Sequence, residues 1–100
     1  MQRFAIEYFA AARDELRSFR VFDRARILSA IEKHLSTAPT QTTLRRIKRV
    51  EPPMQVEYRL AVGDFRVFYN VDEAAMIVSV VAVRHKGRMT LEEAARGESP

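Results

Sequence analysis

The chain has 100 residues, no cysteine and a formal net charge of +4. That length holds one domain with a modest core. Lack of cysteine excludes a disulfide scaffold, a thiolate metal site and a cysteine nucleophile, and no apolar run reaches the length of a membrane span or opens the chain as a secretory signal.

The 47% hydrophobic and 30% charged content is that of a soluble globular protein, compatible with a bacterial-type cytoplasm. Charge is uneven: +2 over residues 1–44, +4 over 45–88 and −2 over 89–100. A basic central half fits an anionic partner, either nucleic acid or an acidic protein segment, and equally fits a solvated surface.

Residues Arg3 to Tyr8 can form a first strand. Phe9, Ala12, Leu16 and Phe19 recur at helical spacing, which predicts an amphipathic helix over 9–19. Asp23 is a candidate N-cap for a second helix over 23–37, with Phe22 and Ile27 at the spacing of a hydrophobic staple. Ile27, Leu28, Ile31 and Leu35 form its apolar stripe, and Pro39 stops it. A short link makes the pair an αα-hairpin. The segment Leu44-Arg45-Arg46-Ile47-Lys48-Arg49-Val50 carries four cations in seven residues. It is a short strand or an irregular crossing, and either a solvated connector or a phosphate-facing rim.

Val56, Tyr58, Leu60 and Val62 alternate with polar or small residues, which is strand periodicity. Gly63-Asp64 then separates this run from Phe65 to Val71, the signal for a hairpin with a type II′ turn. Met76 to Val83 is a nearly unbroken apolar run, as in a strand covered on both faces. The two-residue loop pairs Val62 with Phe65, Leu60 with Val67 and Tyr58 with Tyr69, giving an apolar face for the helices. The other face pairs Ala61 with Arg66 and Arg59 with Phe68, leaving Arg59 and Arg66 as diagonal neighbours about 7–8 Å apart. Further on, Thr90-Leu91-Glu92-Glu93 matches a capping box for a short last helix ending at Gly97, and residues 98–100 are expected to fray.

His34 and His85 stand far apart and no acidic cluster has ligand spacing, so no metal site is expected. His34, late in the second helix, suits the helix dipole as a cation. What remains is arginine. Its planar fork grips two phosphate oxygens, and several forks on one sheet face can neutralise a phosphorane-like transition state. Phe68, between two of them, can stack a base.

On the stretch YRLAVGDFRVFYNVDE followed by VSVVAVRHKGR, the chain resembles the RelE/ParE superfamily of bacterial toxin–antitoxin toxins. RILSAIEKHL and LRRIKRV fit the same pattern, and the resemblance covers residues 3–88. It implies a single α+β domain over residues 1–100, ordered β-α-α-β-β-β-α, with a two-helix hairpin on one face of an antiparallel sheet. It also implies a cytoplasmic toxin that cuts messenger RNA on the ribosome by driving the 2′-hydroxyl onto phosphorus, without metal or cofactor, and that is held by a cognate acidic antitoxin.

Carried onto this sequence, the catalytic positions are Arg59, Arg66, Arg84 and His85. The RNA-binding positions are Arg45, Arg46, Lys48, Arg49, Phe68, Lys86 and Arg88. Many RelE-like toxins place a tyrosine shortly after the last basic cluster; here the residues are Met89-Thr90-Leu91-Glu92. His85 is then the local group that titrates near neutrality. The departure keeps two other readings open: a ParE-like toxin that poisons DNA gyrase, and a weakened toxin that acts mainly by binding its antitoxin.

Overall fold

The computed structural model describes residues 3–53 and 55–88. The elements are β1 (Ala5–Tyr8), α1 (Ala10–Ser18), α2 (Val21–Leu35), β2 (Ile47–Arg49), β3 (Tyr58–Val62), β4 (Phe65–Asp72), β5 (Ile77–His85) and a 3-10 turn at Lys86–Arg88. The expected last helix lies outside the described residues. The fold class is α+β, with five strands in the order β1-β5-β4-β3-β2. The basic segment supplies β2, so it is a strand. The sheet is mixed: β2 to β5 are antiparallel neighbours, but β1 runs parallel to β5, with Ala5 opposite Ile77 and Tyr8 opposite Val80. Two helices separate β1 from the other strands and return the chain to the far side of the sheet.

The central hairpin has the register its turn dictates. Val62 faces Phe65, Leu60 faces Val67 and Tyr58 faces Tyr69. Gly63 has φ +57° and is the only described residue of the turn with positive φ, which is the sign pattern of a type II′ turn. Those six side chains join Ala12, Leu16, Ile27, Ile31, Leu35, Ile47, Val78, Val80 and Val83 in the main core. Tyr69 is fully buried, and its hydroxyl donates to Pro39 O at 2.6 Å, anchoring the chain beyond α2 to the sheet. Burial first, and then Tyr58, push that phenol's pKa well up, so it stays a donor.

The helices take separate places on the apolar face: α1 lies against β5 and α2 against β3. Strand β1 covers only residues 77–80 of β5, and α1 covers the edge that remains. There Glu15 accepts the Val83 N–H at 2.9 Å and pairs with Arg84, so the unpaired strand edge is satisfied by a side chain.

Several expectations about the helices are corrected. Asp23 is not the N-cap. The helix starts at Val21, and Asp23 sits in its first turn, 4.0 Å from Arg26. Phe22 is 71% exposed and forms no staple, and Leu28 lies outside the core. At His34, burial, then Arg46 and Lys33, push the pKa down, against the cationic form that the helix dipole favours.

A second, smaller core occupies the face away from the helices. Val50 and Val56, from the segment between β2 and β3, close over Phe68 and Ala82. A register shift between Phe68 and Tyr69 leaves Val81 as the extra residue of β5.

Candidate functional site

Residues opposite one another in neighbouring strands share a face, so the register sorts the cations. On the face away from the helices, Ala61 N–H donates to Arg46 O at 2.8 Å, placing Arg46 opposite Ala61, which in turn faces Arg66; Arg66 faces Arg84. The next row on that face is Lys48, Arg59, Phe68 and Ala82. The small core closes over the Phe68–Ala82 half. What stays open is a frame of cations, Lys48, Arg59 and Arg66, beside Ala61, with the exposed Arg46 at its edge, where its charge also reaches His34 of α2.

Among the described residues, ion pairs engage Arg3, Arg17, Arg26 and Arg84, and none engages Arg45, Arg46, Lys48, Arg59 or Arg66. Arg66 is half-buried, and its Nη1 donates to Gly63 O at 2.9 Å and Phe65 O at 2.8 Å. The guanidinium is thereby held against its own hairpin. Burial, then Arg59, push its pKa below the usual arginine range, while Asp64 opposes them. Repulsion between these neighbours is an electrostatic cost that a bound anion would relieve.

Beside the frame is an open cleft of about 470 Å³ lined by Thr43, Arg45, Arg46, Ala61, Gly63 and Arg66. Thr43 builds its wall. The threonine Oγ1 accepts the Arg46 N–H at 2.9 Å and the Ile47 N–H at 3.2 Å, and its own N–H donates to Ile47 O. Sequence reading missed Thr43. The signal was a threonine two residues before a basic pair, which fits a side-chain-to-backbone turn.

Other predicted site residues are not brought to this frame. Arg84 shares its face, but its side chain is only 11% exposed and its Nε is bound by Glu15. His85 lies opposite Phe65, on the helix side of the sheet, and meets that ring edge-on with centroids 5.2 Å apart. Its Nδ1 accepts the Gly87 N–H at 3.1 Å. Arg49 lies on the helix side too, beyond the end of the frame, where it stacks on Tyr58 and donates to its hydroxyl at 3.1 Å. Phe68 is 2% exposed under Val50 and Val56, so its ring has no open face on which a base could stack. Lys86 is exposed, with its N–H on Asp64 O at 2.7 Å, so the turn Lys86–Arg88 docks on the hairpin tip near the cleft.

The described elements form the α+β fold of RelE-like toxin structures, two helices on a five-stranded mixed sheet. Residues 5–90 match the family described as the ParE toxin of the type II toxin–antitoxin system parDE, and the chain belongs to that family. The fold is similar to the RelBE2 toxin–antitoxin complex of Mycobacterium tuberculosis, with TM-score 0.68, 20% identity, and 83% of this chain and 98% of that chain covered. It is similar as well to the archaeal RelE–RelB complex of Pyrococcus horikoshii, with TM-score 0.69, 20% identity and coverage of 86% and 98%. A free E. coli RelE double mutant gives TM-score 0.53, 17% identity and coverage of 83% and 82%. No curated protein sequence matches the chain. No helix among the described residues is long and apolar enough to cross a membrane.

Proposed function

We propose that this toxin is a ribosome-dependent messenger RNA endoribonuclease whose phosphate site is the frame Lys48, Arg59 and Arg66, with Arg46 at its edge. The observation that carries the reading is the crowding of Lys48, Arg59 and Arg66 in neighbouring positions on one rigid sheet face. None of the three is ion-paired among the described residues, although Asp64 lies near enough to Arg66 to favour its charged form. In the reaction the 2′-hydroxyl loses its proton, its oxygen bonds to phosphorus, and the 5′-oxygen leaves with a proton. Negative charge grows on the non-bridging oxygens, and fixed guanidinium groups on rigid strands stabilise it.

Arg66 makes the main contribution through the transition state, because two carbonyls already orient it. Arg59 and Lys48 hold the substrate phosphate. Arg84 is a positioning residue that ties β5 to α1 through Glu15. His85 acts from the opposite face, by holding the turn that carries Lys86. The protein partner is an antitoxin with an acidic segment that covers the frame, a reading supported by the toxin–antitoxin complexes of similar fold.

A second reading, poisoning of DNA gyrase, is favoured by the matched family, which is named for ParE. Purified toxin assayed in parallel for cleavage of ribosome-bound messenger RNA and for gyrase-dependent DNA breakage separates the two. Breakage without cleavage would replace the nuclease reading. Neither activity, with tight antitoxin binding, would leave a weakened toxin.

A further inference from the structure

We infer that Glu15 is a positioning residue for the phosphate site: its carboxylate holds the Arg84 guanidinium at the open edge of β5 and so keeps that charge out of the site. The phosphate rests on the endoribonuclease reading; the restraint on Arg84 does not.

The register creates the conflict that Glu15 resolves. Arg84 stands directly opposite Arg66 on the face away from the helices, about 5 Å away at the backbone and nearer than a diagonal neighbour. Like charges directly opposite one another on a sheet destabilise it. Arg66 already carries a cost of this kind, because repulsion from the diagonal Arg59 adds to burial in lowering its pKa. A second guanidinium directly across the ladder would raise that cost, unless a carboxylate draws it aside.

Glu15 supplies that carboxylate. Strand β1 pairs with β5 only as far as Val80, and Glu15 reaches from α1 to the edge left uncovered beyond it. Its Oε1 accepts the Val83 N–H at 2.9 Å, and its Oε2 accepts from Arg84 Nε. The two oxygens are committed to consecutive residues of one strand, so the carboxylate cannot turn without giving up one of them. The Arg84 and Glu15 side chains are only 11% and 20% exposed, so salt screens the pair weakly.

Glutamine separates charge from shape at this position. Its oxygen can keep the Val83 N–H, but its NH2 then stands where Oε2 was, donor against donor with Arg84 Nε. Arg84 is expected to leave the edge for the face it shares with Arg66. A merely structural role for Glu15 would lower stability without adding a cation to that face.

The test is fluorescence anisotropy on the full-length protein over a range of salt. The probe is a single-stranded RNA of about eight nucleotides, inside the range such grooves hold, and 2′-O-methylated to prevent cleavage. Glu15→Gln should bind about tenfold more tightly, the effect of one added charge-assisted contact. Its plot of log affinity against log salt should be steeper by about 0.7, one phosphate on a single strand. Glu15→Gln/Arg84→Gln should return both values to wild type. Asp14→Asn removes an exposed carboxylate from the same helix, changes net charge equally, and should leave both values near wild type. Equal gains in Asp14→Asn and Glu15→Gln would overturn the inference in favour of diffuse charge. Wild-type affinity and slope in a folded Glu15→Gln would overturn it too, as would a gain that survives Arg84→Gln. If Glu15→Gln does not fold, NMR of the wild type decides: the Arg84 Nε–H should exchange slowly with water, with and without RNA, and fast exchange would overturn the restraint. The same signal decides the restraint if wild type binds no RNA, a result that would remove the nuclease reading alone.

Discussion

Replacing Phe68 with alanine separates two roles for that ring. On an open face it could stack a base; in this fold it is the centre of a small core. Phe68 is 2% exposed and touches Val50, Val56 and Ala82. Phenylalanine-to-alanine changes in cores cost about 3–5 kcal/mol, and the value depends on how far the surroundings collapse. Here the cover is a segment between strands, which can settle into the gap more easily than a helix can. The lower end, about 3 kcal/mol, is therefore expected. A domain of this size shifts by about 4–8 °C per kcal/mol, so the melting temperature should fall by about 12–24 °C. Urea unfolding of wild type, Phe68→Ala and Phe68→Leu measures the loss directly, with leucine recovering most of it. An unchanged midpoint in Phe68→Ala, together with weaker RNA binding, would refute the core assignment and restore the stacking role.

Three further outcomes follow from the same geometry. Gly63→Ala should cost about 1–2 kcal/mol in urea unfolding, because an alanine at φ +57° enters the left-handed region; a neutral result would mean that the turn can rearrange. His34 has its pKa lowered in the folded chain, so the unfolded chain binds more protons as pH falls through the ordinary histidine range. Its contribution is fully present above that range and lost below it, so the melting temperature of wild type should fall more on mild acidification than that of His34→Gln, and equal slopes would remove the effect. Association with the antitoxin should slow by about tenfold between dilute and physiological salt if complementary charge steers it; a rate indifferent to salt would contradict an electrostatic frame.

The hairpin was legible because its information is local. Gly63-Asp64 sets the loop length, alternation sets the faces, and together they place Leu60 in the core and Arg59 and Arg66 outside it. The pairing of residues 5–8 with 77–80 joins distant stretches and has no local signal, so the parallel edge was not legible. Phe68 was misread for a related reason. Alternation put it on the correct face, but nothing near it in sequence announces that Val50 and Val56 cross over that face. Arg84 and His85 looked like one cluster because they are consecutive, yet consecutive strand residues point to opposite faces. Glu15, distant in sequence, then engages Arg84. Asp23 was a plausible cap by residue type, but the helix began two residues earlier at Val21.

Single-turnover cleavage of messenger RNA in the ribosomal A site, by folded wild type, Arg66→Ala and Arg66→Lys, tests the cationic frame most directly. Arg66 is oriented by the carbonyls of Gly63 and Phe65 and has no ion-pair partner among the described residues. Losing such a donor should slow the chemical step on the order of 10²–10³-fold. Lysine keeps the charge without the fork and should recover only part of the rate. Equal rates for wild type and Arg66→Ala would contradict the account, and so would a wild type that cuts nothing.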